Sequence, residues 1–159
     1  MTHIRPATPA DIPFMFALVR ELAEYEREPH SVKITENQLR NDGFGDQRYF
    51  DCLIAEIDGT PGGFALFFPI YSTWQGRSIH LEDLFVRPAF RGRGIGKALL
   101  QRVAAIAVER GCARLQWDVL EWNQPAIDFY HGLNAEMLDD WRRMRVTGAA
   151  LTALAGDQP

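Results

Sequence analysis

Apolar and polar positions follow two rhythms along this chain, a period near two and a period near 3.6, and together they predict a sheet flanked by helices. Ile4 and Arg5, just before Pro6, read as a short extended segment. Thr8 opens a helix, with Pro9 at its first position and Asp11 in its first turn. Ile12, Met15, Phe16, Val19, Leu22 and Ala23 then recur at helical spacing to about Tyr25. Thr35 and Gln38 have the spacing of a capping box, which predicts a shorter helix toward Asp42, stopped by Gly43-Phe44-Gly45. Residues Cys52 to Ile57 read as a strand, and Asp58-Gly59-Thr60-Pro61-Gly62 turns it into a second strand from Phe64 to Ile70. The segment from Ser72 to Ser78, carrying Trp74, reads as a loop, and a third strand runs from His80 to Val86.

After Pro88 come Arg91-Gly92-Arg93-Gly94-Ile95-Gly96-Lys97 and a long amphipathic helix. Its apolar stripe is Ile95, Leu99, Val103, Ile106 and Ala107, and Gly111 is its stop signal. Leu115 to Leu120 reads as another strand. Asn123 and Pro125 start a short helix containing Ile127, Phe129 and Tyr130, and two brief strands are expected near Glu136–Leu138 and Trp141–Val146. The pattern is that of a mixed sheet with helices on both sides, in the α/β or α+β range. A single domain over residues 1–147 is expected, followed by a loose alanine-rich tail over 148–159.

Composition narrows the functional classes. A chain of 159 residues, 47% of them hydrophobic, suits one core and no second domain. Charge or glycine interrupts every apolar stretch within a few residues, so no membrane span is expected. The first residues lack the apolar core of an export signal, which implies a cytoplasmic location. Cys52 and Cys112 match no metal or redox spacing and read as reduced packing residues. The four histidines offer no i, i+4 pair for a metal, so no metal cofactor is expected. Net charge is −4, and the only basic cluster is Arg87, Arg91 and Arg93, which argues against nucleic acid as a partner.

The chemistry concentrates in the glycine-rich segment. A strand, then closely spaced glycines, then a long helix is an arrangement that binds phosphate, because the first amides of a helix have no internal partner and the helix dipole adds about half a positive charge there. Glycines at 92, 94 and 96 let the backbone approach an anion, and Arg91, Arg93 and Lys97 add charge. A nucleotide P-loop fails on spacing, since position 91 is arginine and position 98 alanine. A dinucleotide fingerprint fails too, because Lys97 and Leu99 stand where its third glycine belongs. The spacing that fits is Arg91, two residues, Gly94, one residue, Gly96.

That spacing, after a strand ending Val86-Arg87-Pro88, resembles the pyrophosphate signature of the GNAT superfamily of N-acetyltransferases. Within it the chain is most similar to the diamine acetyltransferases, of the spermidine/spermine and thialysine type. The stretches that carry the likeness are Ile4-Arg5-Pro6-Ala7-Thr8, Tyr25-Glu26, Asp42-Gly43-Phe44-Gly45, Leu81-Glu82-Asp83-Leu84-Phe85-Val86, Glu121-Trp122-Asn123-Gln124-Pro125-Ala126, Phe129-Tyr130 and Trp141-Arg142. They run from about residue 4 to 146.

The resemblance implies a GNAT fold, a mostly antiparallel mixed sheet with helices on both faces, and acetyl-CoA as co-substrate. Leu84, Phe85 and Val86 would hold the pantetheine arm through their backbone, and Arg91, Gly92, Arg93, Gly94, Ile95, Gly96 and Lys97 would take the pyrophosphate. Asn123, Gln124, Pro125, Ala126 and Tyr130 would line the thioester end. Glu82 is implied as the base, acting through water, and Tyr130 as the acid for the leaving thiolate. Strand alternation sends Asp83 to the face opposite Glu82. Tyr25, Glu26, Trp74, Glu82, Gln116, Trp117, Asp118 and Asp139 occupy the family's amine-binding positions. Asn134 replaces the family's turn glycine and is able to take the left-handed conformation.

One departure bears on substrate. The family's acid two residues before the loop tryptophan is Ser72 here, and the loop before Trp141 is shorter, leaving Asp139 or Asp140 to stand in. That favours a shorter amine or amino acid over a long polyamine. The expected activity is acetyl transfer to a primary amine of a small diamine-like substrate. The alternatives are a protein or peptide amino group as acceptor, or a non-catalytic acetyl-CoA-binding domain. By the same resemblance the chain is expected to be a homodimer.

Overall fold

The computed structural model describes residues 1–156, and the chain falls into two compact units, Met1–Leu120 and a smaller one beginning at Glu121. The first unit holds β1 (Thr2–Pro6), α1 (Ile12–Tyr25), α2 (Glu36–Phe44), β2 (Asp51–Ile57), β3 (Thr60–Ser72), β4 (Gly76–Val86), α3 (Ile95–Glu109) and β5 (Arg114–Gln116). The second holds α4 (Gln124–His131) and α5 (Gly148–Ala155).

The five strands lie in chain order in one sheet. The first four pair antiparallel through short connections, and β5 returns parallel to β4 by way of α3. Alternation along the strands loads both faces with apolar side chains. On one face Cys52, Ile54, Phe64, Leu66 and Phe85 join Ile12, Met15 and Leu18 of α1 and Leu39 of α2 in a single core. The alternate positions Leu53, Ala55, Ala65, Phe67, Ile79 and Leu81 are buried as well, and α3 packs against β3 and β4 with Leu99 and Val103 fully enclosed. Cys52 and Cys112 are free thiols, and burial pushes the Cys52 thiol far up from its ordinary value.

The expected helix start at Pro9 is a 3₁₀ turn over Pro9–Asp11, with the α-helix beginning at Ile12. Pro13 has no N–H to give to the Pro9 carbonyl, so the α ladder cannot begin sooner. Asp11 closes this corner. Its carboxylate accepts from the Thr8 amide at 2.7 Å, the Thr8 hydroxyl at 2.9 Å and both terminal nitrogens of Arg5 at 2.8 Å. Arg5 in turn reaches Glu56 at 2.7 Å, tying β1 to β2 and to the start of α1.

The Thr35–Gln38 capping box is present, with Gln38 N donating to Thr35 Oγ1 at 3.2 Å. Yet α2 continues through Gly43 to Phe44. A Cβ at Gly43 would lie 2.5 Å from the Phe50 ring, so glycine serves close packing there and the helix ends at Gly45. The strand expected over 115–120 is paired only at Arg114–Gln116. No strand forms at 136–138 or 141–146, where every residue is exposed and none offers a buried face to anchor pairing. Residues 148–155 of the expected loose tail are helix α5, wholly exposed, while positions 157–159 lie outside the described residues. No helix among the described residues is long and apolar enough to cross a membrane.

The Arg5 guanidinium holds the Asp11 carboxyl down at about 2. A depressed acid contributes stability above its unfolded value of about 3.9 and loses it as pH falls toward 2. Asp11→Asn is therefore expected to lower stability by about 2 kcal/mol at pH 7. Thermal melts should show the gap from the parent protein narrowing between pH 4 and pH 2.

Candidate active site

The glycine-rich segment is set by backbone conformation. Gly92 and Gly94 have φ of +76° and +74°, in the left-handed region that glycine adopts without strain. A Cβ at either would meet nothing within 4 Å, so their ground is open rather than packed. Gly94 caps α3, and the first intrahelical bond runs from Ala98 N to Gly94 O at 2.9 Å. The amides of Ile95, Gly96 and Lys97 precede it and have no helical acceptor. The Ile95 side chain is 2% exposed and pins this helix end to the core, while Arg93 and Lys97 are exposed.

The arginines divide their work. Arg87 is taken by Glu21 at 2.7 Å and lies over the Phe14 ring, so it braces α1 against the end of β4. Arg91 donates from Nε to the Val86 carbonyl at 2.8 Å, with its guanidinium 5.5 Å from the ring centres of Tyr25 and Phe85. It thereby ties the loop to the strand and covers the end of α1.

β4 carries an irregularity that the sequence does not announce. Leu66 pairs with Asp83 but Phe67 pairs with Leu81, so Glu82 is an extra residue bulged from the strand. Pairing with β5 stops at His80 opposite Gln116, and no strand joins that side of β4 beyond it among the described residues. On that open side lie the backbone groups of Leu84 and Val86, with the Val86 carbonyl already accepting from Arg91 Nε. Phe85 lies opposite Phe64, on a rung bonded to β3 like that of Arg87 with Gly62, and its side chain is buried.

The bulge interrupts the alternation on which the expectation of opposite faces for Glu82 and Asp83 rests. The two carboxylates feel each other and Glu26 at the end of α1. Burial, then Glu82, then Glu26 push the Asp83 carboxyl up to about 7. Burial, then Glu82, raise the Glu26 carboxyl. Asp118, just past β5, stands beside this group: the His80 imidazole Nε2 is 3.3 Å from Glu82 Oε2 and 3.9 Å from Asp118 Oδ2. Four carboxylates and one imidazole thus share one corner of the first unit. Such a corner suits a cationic guest, which would relieve the mutual repulsion.

The other expected substrate residues lie on other elements of the two units. Tyr25 ends α1, half exposed, Gln116 ends β5 and Trp117 follows it. Trp74 sits 83% exposed in the β3–β4 turn, where the Ser72 hydroxyl accepts from the amides of Trp74 and Gln75 at 3.2 and 3.1 Å. Ser72 is thus a turn-closing residue. Asn123 to Ala126, Tyr130 and Asp139 belong to the second unit. There Asn123 caps α4 by accepting from Ala126 N, Tyr130 lies on that helix beside Phe129, and Asp139 is exposed. Asn134 takes the left-handed conformation with φ of +61°. Among the described residues no group of three His, Cys, Asp or Glu side chains is arranged to hold a metal.

His80 is the site residue that sequence reading passes over. Its signal is the i, i+2 spacing to Glu82 in β4, which a search for i, i+4 metal pairs does not register.

Comparison with known proteins agrees with this geometry. The model of the acetyltransferase (GNAT) family matches residues 14–134. The chain is 42% identical to thialysine N-epsilon-acetyltransferase of Mus musculus, over 98% of both chains. It is 30% identical to L-ornithine N5-acetyltransferase of Arabidopsis thaliana, over 96% of this chain and 87% of that protein. An integron cassette protein of Vibrio cholerae has the same fold, with a TM-score of 0.81 at 24% identity over 98% of each chain.

Asp83 yields a test of the crowded corner. An acid raised from 3.8 to about 7 binds more protons folded than unfolded, so it subtracts stability as pH rises across that window. Asp83→Asn removes the penalty. Its melting temperature is expected to exceed that of the parent protein at pH 8, with the difference fading toward pH 4. An equal difference at both pH values would show that Asp83 is not so perturbed.

Proposed function

We propose that this chain, which belongs to the acetyltransferase (GNAT) family, moves an acetyl group from acetyl-CoA to a terminal amine of a small diamine-like substrate. The observation that carries the substrate class is the gathering of Glu26, Glu82, Asp83 and Asp118 beside the free edge of β4. The names of the relatives, thialysine and ornithine acetyltransferases, support an amino acid with an ω-amine over a long polyamine. Ser72, engaged in its turn, supports the same choice.

The residues present fit CoA. The amides of Ile95, Gly96 and Lys97, with Arg93 and Lys97 beside them, suit its diphosphate. Open ground at Gly92 and Gly94 allows close approach. The β4 edge offers the Leu84 amide and carbonyl and the Val86 amide to the pantetheine arm as a neighbouring strand would. From Val86 to Glu82 is four residues, about 13 Å of strand. Acetyl-CoA supplies the activated acyl carbon, and this chain supplies position and proton handling.

An alkylamine with a pKa of about 10.4 is nucleophilic in roughly one molecule of two thousand at pH 7. Glu82, half exposed beside the carboxylate group, takes the ammonium proton, directly or through water. The remaining carboxylates hold the second positive charge of the substrate, which fixes the amine against the acyl carbon. By the family resemblance Tyr130 is the acid for the leaving thiolate. The same reading includes a cytoplasmic homodimer, supported by the exposed apolar side chains Trp141, Met144, Leu151 and Leu154.

The test is thiol release from acetyl-CoA by the purified protein with ornithine, thialysine, short diamines, spermidine and a lysine peptide. Small diamine-like amines are expected to be the best acceptors. Glu82→Gln and Tyr130→Phe should each lower kcat by about a hundredfold. No thiol release with any amine would end the enzymatic assignment, and preference for the peptide would move the acceptor to proteins.

A further inference from the structure

We propose that His80 is a positioning residue for Glu82: its Nε2–H holds one carboxylate oxygen inward and leaves the other for the substrate ammonium. The inference rests on acetyl transfer with Glu82 as base.

The geometry is specific. His80 occupies the last rung that β4 shares with β5, opposite Gln116, and pairs with Phe68 across β3. Its side chain is 10% exposed, and its ring lies 5.3 Å from that of Phe68 at a tilt of 30°. That packing fixes the ring plane. Nε2 faces Glu82 Oε2 at 3.3 Å and Asp118 Oδ2 at 3.9 Å. The Glu82 and Asp118 side chains are 51% and 59% exposed, so each has one end against a buried ring and another toward the open corner.

An imidazole nitrogen facing two carboxylates is stabilised as a donor, because a bare lone pair there would oppose two negative groups. Neutral His80 with its proton on Nε2 therefore orients Glu82 and leaves it a free base. No bond to substrate forms or breaks at His80, and it acts only through Glu82. Around the pair stand Asp83 on β4, Asp118 after β5 and Glu26 at the end of α1, while β3 contributes Phe68, which carries no charge. Asp83 titrates near neutrality, so a pH profile of the parent protein would not single out His80.

Two variants and one spectroscopic reading do. His80→Gln keeps an amide donor at the Nε2 position but cannot titrate; His80→Phe keeps the stacking on Phe68 and loses the donor. In His80→Gln, which keeps a donor, kcat at pH 8 stays within about threefold of the parent value. In His80→Phe kcat falls about tenfold with the KM for acetyl-CoA unchanged, a part of what a positioned base contributes. Independently of turnover, nitrogen NMR of the free protein at pH 8 should find the His80 proton on Nε2. A proton on Nδ1, or a His80→Phe protein as active as the parent, would overturn the inference. A parent protein that releases no thiol would instead overturn the acetyl-transfer reading on which it stands.

Discussion

Backbone amides and carbonyls that leave the regular ladder must find partners elsewhere, and in this chain two sets of them leave it side by side. One is the start of α3, where Gly94 turns left-handed and the next three amides have no helical acceptor. The other is the β4 edge, freed when β5 stops at Gln116. Arg91, bonded to the Val86 carbonyl, fastens the loop to the strand, so the two sets occupy one neighbourhood. A diphosphate with an extended amide-bearing arm answers both. The rest of the site follows from that placement, because whatever lies along β4 is brought to the carboxylates at its bulge.

The bulge at Glu82 interrupts the alternation of β4 where Asp83, Glu26 and Asp118 lie close to it. Burial first, and then the like charges of Glu82 and Glu26, keep the proton on Asp83 to about 7. The fold tolerates this because its stability is secured elsewhere, in the two apolar faces of the sheet and in the Arg5–Asp11–Glu56 corner at the far side of β1. A cationic guest turns the repulsion into attraction, so the electrostatics that burden the free protein serve to select its substrate.

Much of this was legible in the sequence where a residue type is forced by geometry. Glycines at 92 and 94 announce left-handed backbone, and their spacing before an apolar stripe announces an anion site at a helix start. The capping box at Thr35 and the helix stripes are equally direct. The bulge was not legible, because one extra residue in a strand changes pairing without changing composition, and strict alternation does not carry across it. His80 escaped because its meaning depends on that bulge and on where β5 ends. Gly43 read as a stop although its role is to admit the Phe50 ring, a contact no local pattern contains. The strands expected between 136 and 146 had alternating residues but no apolar face to cover them.

The central claim is that those two sets of backbone amides receive CoA, and amide hydrogen exchange reads them one by one. Exchange measured with and without CoA is expected to slow at Leu84 and Val86 and at Ile95 to Lys97, while the β1–β2 pairing stays as it was. Binding without protection at these positions, or no change anywhere at saturating CoA, would contradict it.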